Sequence, residues 1–273
     1  MEEMKGSQIF DRSKIHYYPL SERVNRVYIE KCQVDYNLDT KTISEKLQQK
    51  ISLAADEILR ARKIGSSVIC TFGAHAIKNG LGSVLGEFAR RGWFTHLATN
   101  GAGVIHDWEF AYQGMSSEDV KENVREGKFG IWDETGYYLN LALAVGAFEG
   151  LGYGESIGSL IVNNGLRIPA QDELLEIISQ TKKYCMDQNV KFLVSKALQK
   201  CSAAADLLEL ISALNIPEGF LSVNHPYRQY SVQALSFHSK TPFTSHPMFG
   251  HDIIYTHMAN RGSAVGRTAD LHF

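Results

Sequence analysis

Two short apolar segments, separated by an amphipathic stretch, constrain the fold of this chain more than any other feature of its sequence. Residues 66–72 (SSVICTF) are apolar and rich in β-branched side chains, which is typical of a buried parallel strand. Residues 93–98 (WFTHLA) form a second strand-like segment, and apolar positions between the two repeat at helical spacing until Gly92. A strand, a helix and a strand in such close succession predict a βαβ unit with parallel strands.

The remaining chain predicts further helices and strands. Helical periodicity or helix-start signals occur over residues 42–63, 116–127, 134–148, 169–186 and 203–214. Residues 190–195, 230–237 and 252–257 have the short apolar or alternating pattern of strands. We therefore predict an α/β fold with a doubly wound, mostly parallel sheet and helices on both faces. Residues 41–273 are expected to form a single domain, and residues 1–40 an irregular N-terminal segment packed on it.

Composition argues against several classes of partner. The 28 basic and 30 acidic residues are spread along the chain and nearly cancel, so no strong field is available to bind nucleic acid. No window approaches the roughly 20 apolar residues that a membrane span requires. The 4 cysteines are far apart and form no CxxC pair, which favours reduced thiols and a cytoplasmic location.

The segment LATNGAGVIHDWE, residues 97–109, is the sharpest candidate for a site. Glycine-rich turns after parallel strands let backbone amides approach an anionic group, so a ligand is expected at this turn. A tight turn that happens to carry polar residues is the alternative interpretation. Three ionisable groups within four positions favour a functional role. The residues concerned are Asn100, Gly101, Ala102, Gly103, His106, Asp107 and Glu109.

A parallel feature follows the preceding strand. Gly73 and Ala74 form the turn, and His75 and Lys78 lie three residues apart at the start of the next helix. A lysine at a helix N-terminus opposes the helix dipole, which indicates that the cation serves a ligand. A solvated lysine and a histidine that caps the turn are the alternative. Two polar turns at neighbouring strand ends are what a shared ligand crevice requires.

The C-terminal region is rich in histidine, with His225, His238, His246, His251 and His257 in a short span. Imidazoles near a carboxylate suit zinc or iron, so a metal site at His246, His251 and His257 is an alternative to surface or core histidines. The spacing does not match HExxH, and we predict no metal as the first choice. No GxSxG elbow and no P-loop is present, which argues against serine hydrolases and P-loop NTPases.

These two turns resemble those of the deoxyhypusine synthase family over roughly residues 66–107. The chain is also similar, over most of its length, to a divergent bacterial group with the patterns HxIKxGL and NGAGxxHDxE. The resemblance implies an NAD-binding fold and a homo-oligomer, as in the tetramers of the family. The family's lysine that forms an imine cannot be aligned, and His106 stands where the family has a glutamate. By resemblance, NAD would contact Gly73, Ala74, His75, Asn100, Gly101, Ala102 and Gly103.

The resemblance also assigns roles to the ionisable residues. His106 would be a general acid or base, because imidazole exchanges protons near neutral pH. Asp107 would orient His106, and Glu109 would attract a cationic amine. Lys78 and Lys240 are the lysines to test for covalent chemistry. The expected function is that of an NAD-binding enzyme that acts on an amine or another small substrate by hydride removal and return. A metal-dependent hydrolase and a non-catalytic ligand-binding protein are the alternatives.

Overall fold

The computed structural model describes residues 10–37, 42–185 and 191–271. In these ranges the protein is a mixed α/β structure in which helices predominate. The seven strands described are β1 (Asn25–Tyr28), β2 (Ile69–Thr71), β3 (His96–Asn100), β4 (Met115–Glu118), β5 (Gly165–Ile168), β6 (Gly219–Ser222) and β7 (Phe243–His246).

The helices of the same ranges vary from one turn to seven. They are α1 (Ile29–Cys32), α2 (Glu45–Lys63), α3 (Ala74–Lys78), α4 (Gly82–Arg90), α5 (Gly101–Gln113), α6 (Val120–Arg125), α7 (Asp133–Glu149), α8 (Tyr153–Asn163), α9 (Gln171–Cys185), α10 (Lys191–Leu214), α11 (Val232–Ser239) and α12 (Gly262–Asp270). Short 3-10 turns occupy Arg12–Lys14, Leu20–Glu22, Arg228–Tyr230 and Ile253–Thr256.

The predicted βαβ unit is present, and its two strands are parallel neighbours. Strands β2, β3 and β7 form a three-stranded parallel sheet in that order, with Cys70 opposite Leu97 and Leu97 opposite Phe243. The central strand is β3, whose Leu97 is fully buried, whereas β2 lies at the edge and leaves Ile69 60% exposed. The expectation that β2 is a buried central strand is therefore wrong. Among the described residues the other strands form two antiparallel pairs, β1 with β4 and β5 with β6.

Four secondary-structure predictions are wrong, because the local pattern of apolar and polar residues did not determine the backbone conformation of these segments. Of residues 230–237, those from Val232 onward belong to α11 and not to a strand, since the Ser231 hydroxyl accepts the N–H of Ala234 as a helix N-cap. Residues 252–257 form a 3-10 turn, and residues 191–195 belong to α10, with Val190 outside the described residues. Residues 115–118 form β4 rather than a helix start, and α6 begins only after Asp119.

Helix α7 lies at the centre of the core, and this position explains why its sequence has almost no polar face. Leu139, Leu141 and Leu143 point in different directions around the helix and are all fully buried. Helices α8, α10 and α12 pack around α7. Helix α5 is nearly as enclosed, with Val104 and Trp108 completely buried. Polar side chains on α5 therefore lie inside the protein, where each needs a partner.

The N-terminal segment is more regular than expected over residues 10–37. Strand β1 pairs with β4, with Asn25 opposite Glu118, and Tyr18 bridges to Trp132. This pairing carries Arg23, which lies two residues before β1, into the interior. At the start of α2 the N-cap is Ser44, whose hydroxyl accepts the N–H of Leu47, rather than Thr42. None of the helices in the described ranges has both the length and the apolar character to cross a lipid bilayer.

Candidate functional site

The two predicted glycine turns meet at the carboxyl ends of β2 and β3. Gly73 is the N-cap of α3, and Asn100 ends β3 and is the N-cap of α5. A Cβ atom added to Gly73 would lie 3.8 Å from Nδ2 of Asn100. The structure therefore brings the two turns together, as expected for neighbouring parallel strands.

The first turn of α5 is filled by groups of the protein itself. The Asn100 side chain accepts the N–H of Gly103 at 2.9 Å. A Cβ on Gly101 would lie 2.1 Å from Oδ2 of Asp252, and a Cβ on Gly103 would lie 2.1 Å from Oγ1 of Thr99. Both glycines are thus required by close packing. A carboxylate at Gly101 does not fit an anionic pyrophosphate bound at the same turn.

Beside this turn lies a cavity of about 340 Å³, which is in the usual size range for small-molecule sites. We call it the α5 cavity. It brings together five residues that the sequence singled out, namely Lys78, Ala102, His106, Glu109 and His251. Its lining comprises Arg23, Lys78, Ala102, Ile105, His106, Glu109, Ser117, Glu118, Val120, Phe129, His251, Asp252 and Ile253.

Glu109 forms a buried ion pair with Arg23 in the wall of the α5 cavity. Both guanidinium Nη atoms donate to the two carboxylate oxygens at 2.7 Å, and the side chains are only 2% and 1% exposed. The hydroxyl of Thr135 also donates to Glu109, at 3.1 Å, and Asn25 accepts from Arg23 Nε. Burial alone would raise the pKa of Glu109, but the charge of Arg23 and the hydrogen bonds hold that pKa well below its usual range.

Ser116 connects this ion pair to His106. The Ser116 hydroxyl donates to Oε2 of Glu109 at 2.5 Å and lies 2.6 Å from Nδ1 of His106. Because the hydroxyl has one proton and gives it to the carboxylate, its oxygen must accept from Nδ1–H of the imidazole. The hydrogen-bond network therefore assigns a neutral His106 to the tautomer with its free lone pair on Nε2. Since the His106 side chain is 20% exposed, Nε2 is the ring nitrogen left for the cavity.

Asp107 does not orient His106, which corrects the role expected for it. Asp107 lies on another side of α5, where its carboxylate accepts Ser231 Oγ–H at 2.6 Å and the Val232 N–H at 2.9 Å. Gln233 donates to the same carboxylate from its backbone and side chain. These are the first amides of α11, so Asp107 closes the N-terminus of that helix. Its burial and hydrogen bonds are those of a residue that joins two helices.

Glu109 is likewise engaged in a way that the sequence did not suggest. Its carboxylate already balances Arg23, so it is not free to attract a cationic amine. His75 is exposed at the start of α3, away from the cavity lining. Lys78, at the end of α3, lines the cavity and has no ion pair within the described part of the chain.

The three histidines of the metal alternative are held by different partners. His246 ends β7 beside Thr244, and His251 is 71% exposed next to Asp252. His257 is buried and its Nε2 lies 3.0 Å from Asp133 Oδ1. In the described ranges, no group of three or more His, Cys, Asp or Glu side chains has an arrangement that would hold a metal ion. The metal-dependent hydrolase alternative has no support there.

Sequence reasoning missed Arg23 and Ser116. One signal was present, because a glutamate on a helix as apolar as α5 requires a cation when it is buried. The sequence could not identify the cation, since Arg23 and Arg26 both occur in the N-terminal charged run and are distant from Glu109 along the chain. Ser116 follows α5 after one tight turn at Gly114. Only the pairing of β4 with β1 determines the direction in which the Ser116 side chain points.

A larger cleft of about 650 Å³ lies elsewhere, at the end of α7. It is more open than the α5 cavity and includes none of the site residues expected from the sequence. The smaller α5 cavity is the better candidate for a functional site, because a buried hydrogen-bond network ends in it. Comparison of the chain with known protein families, with curated proteins and with solved structures gave no match.

Proposed function

We propose that the α5 cavity binds a small polar molecule and that His106 removes a proton from it as a general base. The observation that carries this proposal is the position of Ser116 between His106 Nδ1 and Glu109 Oε2, at 2.6 and 2.5 Å. This connection leaves Nε2 as the proton acceptor. A histidine oriented through its other ring nitrogen toward a carboxylate is a recurrent arrangement for general bases.

The carboxylate of Glu109 lies close to the imidazole that would carry the positive charge during the reaction. When Nε2 accepts a proton, the imidazolium is stabilised by Glu109, whose Oε2 lies 3.7 Å from Nδ1. Arg23 keeps Glu109 ionised for this purpose. Lys78 in the same cavity would stabilise the negative charge that develops on the substrate. The apolar walls, formed by Ile105, Val120, Phe129 and Ile253, strengthen both interactions by limiting water.

The tautomer of His106 tests the proposed base without any knowledge of the substrate. Nitrogen-15 NMR of labelled histidine should show His106 with the proton on Nδ1 in the neutral form. Ser116→Ala removes the acceptor, so the Nε2–H tautomer should become populated in the variant. An exposed serine, Ser202→Ala, is the matched control and should leave the spectrum unchanged. A wild-type His106 protonated on Nε2 would overturn the proposed role.

A panel of small carboxylates, carbonyl compounds and amines, followed by proton NMR, tests for binding and turnover. Ligands should shift the methyl resonances of Ile105 and Ile253 in both the wild type and His106→Gln. Turnover should occur in the wild type only. Compounds that shift only resonances outside the cavity would contradict the site, and turnover that survives His106→Gln would contradict the base. Binding without turnover in the wild type would favour the non-catalytic alternative.

NAD binding of deoxyhypusine synthase type stays a prediction and is the second candidate function. The start of α5 at the end of a parallel strand favours it, whereas the carboxylate of Asp252 at Gly101 opposes it. Titration calorimetry with NAD, with and without polyamines, tests this candidate, and no heat at millimolar NAD would remove it. A doubly wound sheet, a cytoplasmic location and a homo-oligomer also stay predictions.

A further inference from the structure

We infer that α2 is a dimerisation helix that pairs in antiparallel orientation with α2 of a second copy of this chain. Helix α2 has 19 residues and none of them is buried. A helix of this length gains most of its stability from packing an apolar stripe, so a helix that buries nothing is marginal in water. This inference concerns a surface and does not depend on the proposed reaction in the α5 cavity.

Five of the apolar side chains of α2 form a continuous stripe, which we call the α2 seam, while Leu53 and Leu59 lie off it. The intervals along it are four, three, four and three residues, which is the spacing of a coiled coil. Leu47 and Ile51 on this stripe are 46% and 51% exposed. The α2 seam consists of Leu47, Ile51, Ala54, Ile58 and Ala61.

The charges beside the α2 seam favour the α2 helix of a second copy as the partner that packs on it. Lys50 and Glu57 are seven residues apart, so they lie on the same side of the seam, two turns from each other. An antiparallel pair of α2 helices brings Lys50 opposite the partner's Glu57, and Glu57 opposite the partner's Lys50. Glu57 also pairs with Arg60 on its own exposed surface, a contact that contributes little. The seam is thus self-complementary about a twofold axis near Ala54.

The opposite end of α2 argues against a parallel pair. Arg60, Arg62 and Lys63 form the last turn, and parallel helices would place both copies of this cationic cluster side by side. Arg62 already has partners within its own chain, since its guanidinium stacks 4.4 Å from the Trp93 ring centre and donates to the Arg91 carbonyl. An antiparallel arrangement separates the two clusters and opposes the helix dipoles.

Sedimentation equilibrium of the full chain tests the inference through charge reversal. The wild type should be a dimer at micromolar concentrations. Lys50→Glu and Glu57→Lys should each weaken the dimer about tenfold or more, because two attractive contacts become repulsive. The variant carrying both changes should recover the wild-type affinity. Lys46→Glu makes the same change in charge on the far side of α2 and should have little effect.

Ile51→Asp provides a second measurement. Because Ile51 is exposed in the single chain, this variant should fold as the wild type does, judged by circular dichroism, and should sediment as a monomer. Three outcomes would overturn the inference: a monomeric wild type, a dimer that survives Ile51→Asp, or single charge reversals that the double change does not repair. A parallel pair would be insensitive to Lys50→Glu, because the residue then opposite Lys50 is the uncharged Ala55.

Discussion

At the scale of single residues, the molecule is organised by a few buried polar groups whose partners come from distant parts of the chain. Glu109 and Arg23 illustrate this, since each would be strongly unfavourable in the interior without the other. Their hydrogen-bond network extends from Glu109 through Ser116 to His106. A buried ion pair contributes little to stability in total, but it orients whatever is bonded to it.

Glu109→Gln should destabilise the protein by about 3 kcal/mol, because it leaves the buried Arg23 without a counter-charge. Urea unfolding at neutral pH measures the loss. Glu122→Gln breaks an exposed ion pair with Arg125 and is the matched control, with an expected change below about 0.5 kcal/mol. Equal effects of the two substitutions would show that Arg23 is compensated in another way.

His225 predicts a pH dependence of stability. It is 1% exposed beside the rings of Trp108 and Tyr112, and burial lowers its pKa from 6.5 to about 4. Below the unfolded pKa the unfolded chain takes up a proton that the folded protein refuses, so stability falls as the pH falls. The loss should be about 2 kcal/mol between about pH 7.5 and about pH 5.

Urea unfolding at several pH values measures this dependence. His225→Leu should reduce the loss of stability across that window by about 2 kcal/mol, while His238→Leu, at an exposed position, should leave the slope as in the wild type. Glu109 does not contribute in this window, because its lowered pKa affects stability only below the unfolded value near 4. An unchanged slope in His225→Leu would mean that His225 can be protonated in the folded protein.

At the scale of elements, α5 does most of the positioning. It starts at the central strand, carries His106 and Glu109 toward the cavity and carries Asp107 toward α11. The strand before it, the glycine turn at which it starts and its ionisable residues could be predicted from residues 97–109. The partners of these side chains could not be predicted. Arg23 precedes β1, Ser116 lies in β4 and Ser231 is the N-cap of α11, and the packing of these elements on α5 is not visible in residues 97–109.

The same limit explains which elements the sequence predicted. The strands β2 and β3 and the helices α2, α7 and α9 follow from periodicity within a single window. Strand β7 has four residues and follows Pro242, so it carries too little local pattern to be recognised, although it completes the parallel sheet. Residues 230–237 are predicted as a strand from their alternation, but Asp107 accepts the amides of Val232 and Gln233 and stabilises a helix there.

Gly101→Ala should destabilise the protein by about 2 kcal/mol, because the new Cβ would meet the Asp252 carboxylate at 2.1 Å. Thermal or urea unfolding measures the effect. Gly262→Ala is the matched control, since no atom of the described residues lies within 4 Å of its added Cβ, and α12 should be unchanged or slightly stabilised. In an Asp252→Ala background the cost of Gly101→Ala should shrink, and strictly additive effects would contradict the contact.

At the scale of the whole molecule, packing is uneven. Helix α7 contributes twelve buried residues to the core, whereas α2 contributes none. Local stability follows the burial of apolar contacts, so the two helices should open by different routes. Helix α7 can open only when the whole protein unfolds. Helix α2 can fray without disturbing the sheet or the α5 cavity, unless a second copy covers it.

Hydrogen exchange followed by mass spectrometry tests this division. In Lys50→Glu, the amides of α2 should exchange many times faster than those of α7, because α2 has no buried residue and few tertiary contacts within the described part of the chain. In the wild type the protection of α2 should rise with protein concentration, as association stabilises the paired form, while α7 and α12 should be unaffected. Protection of α2 equal to that of α7 in dilute Lys50→Glu would mean that the single chain stabilises this helix by itself.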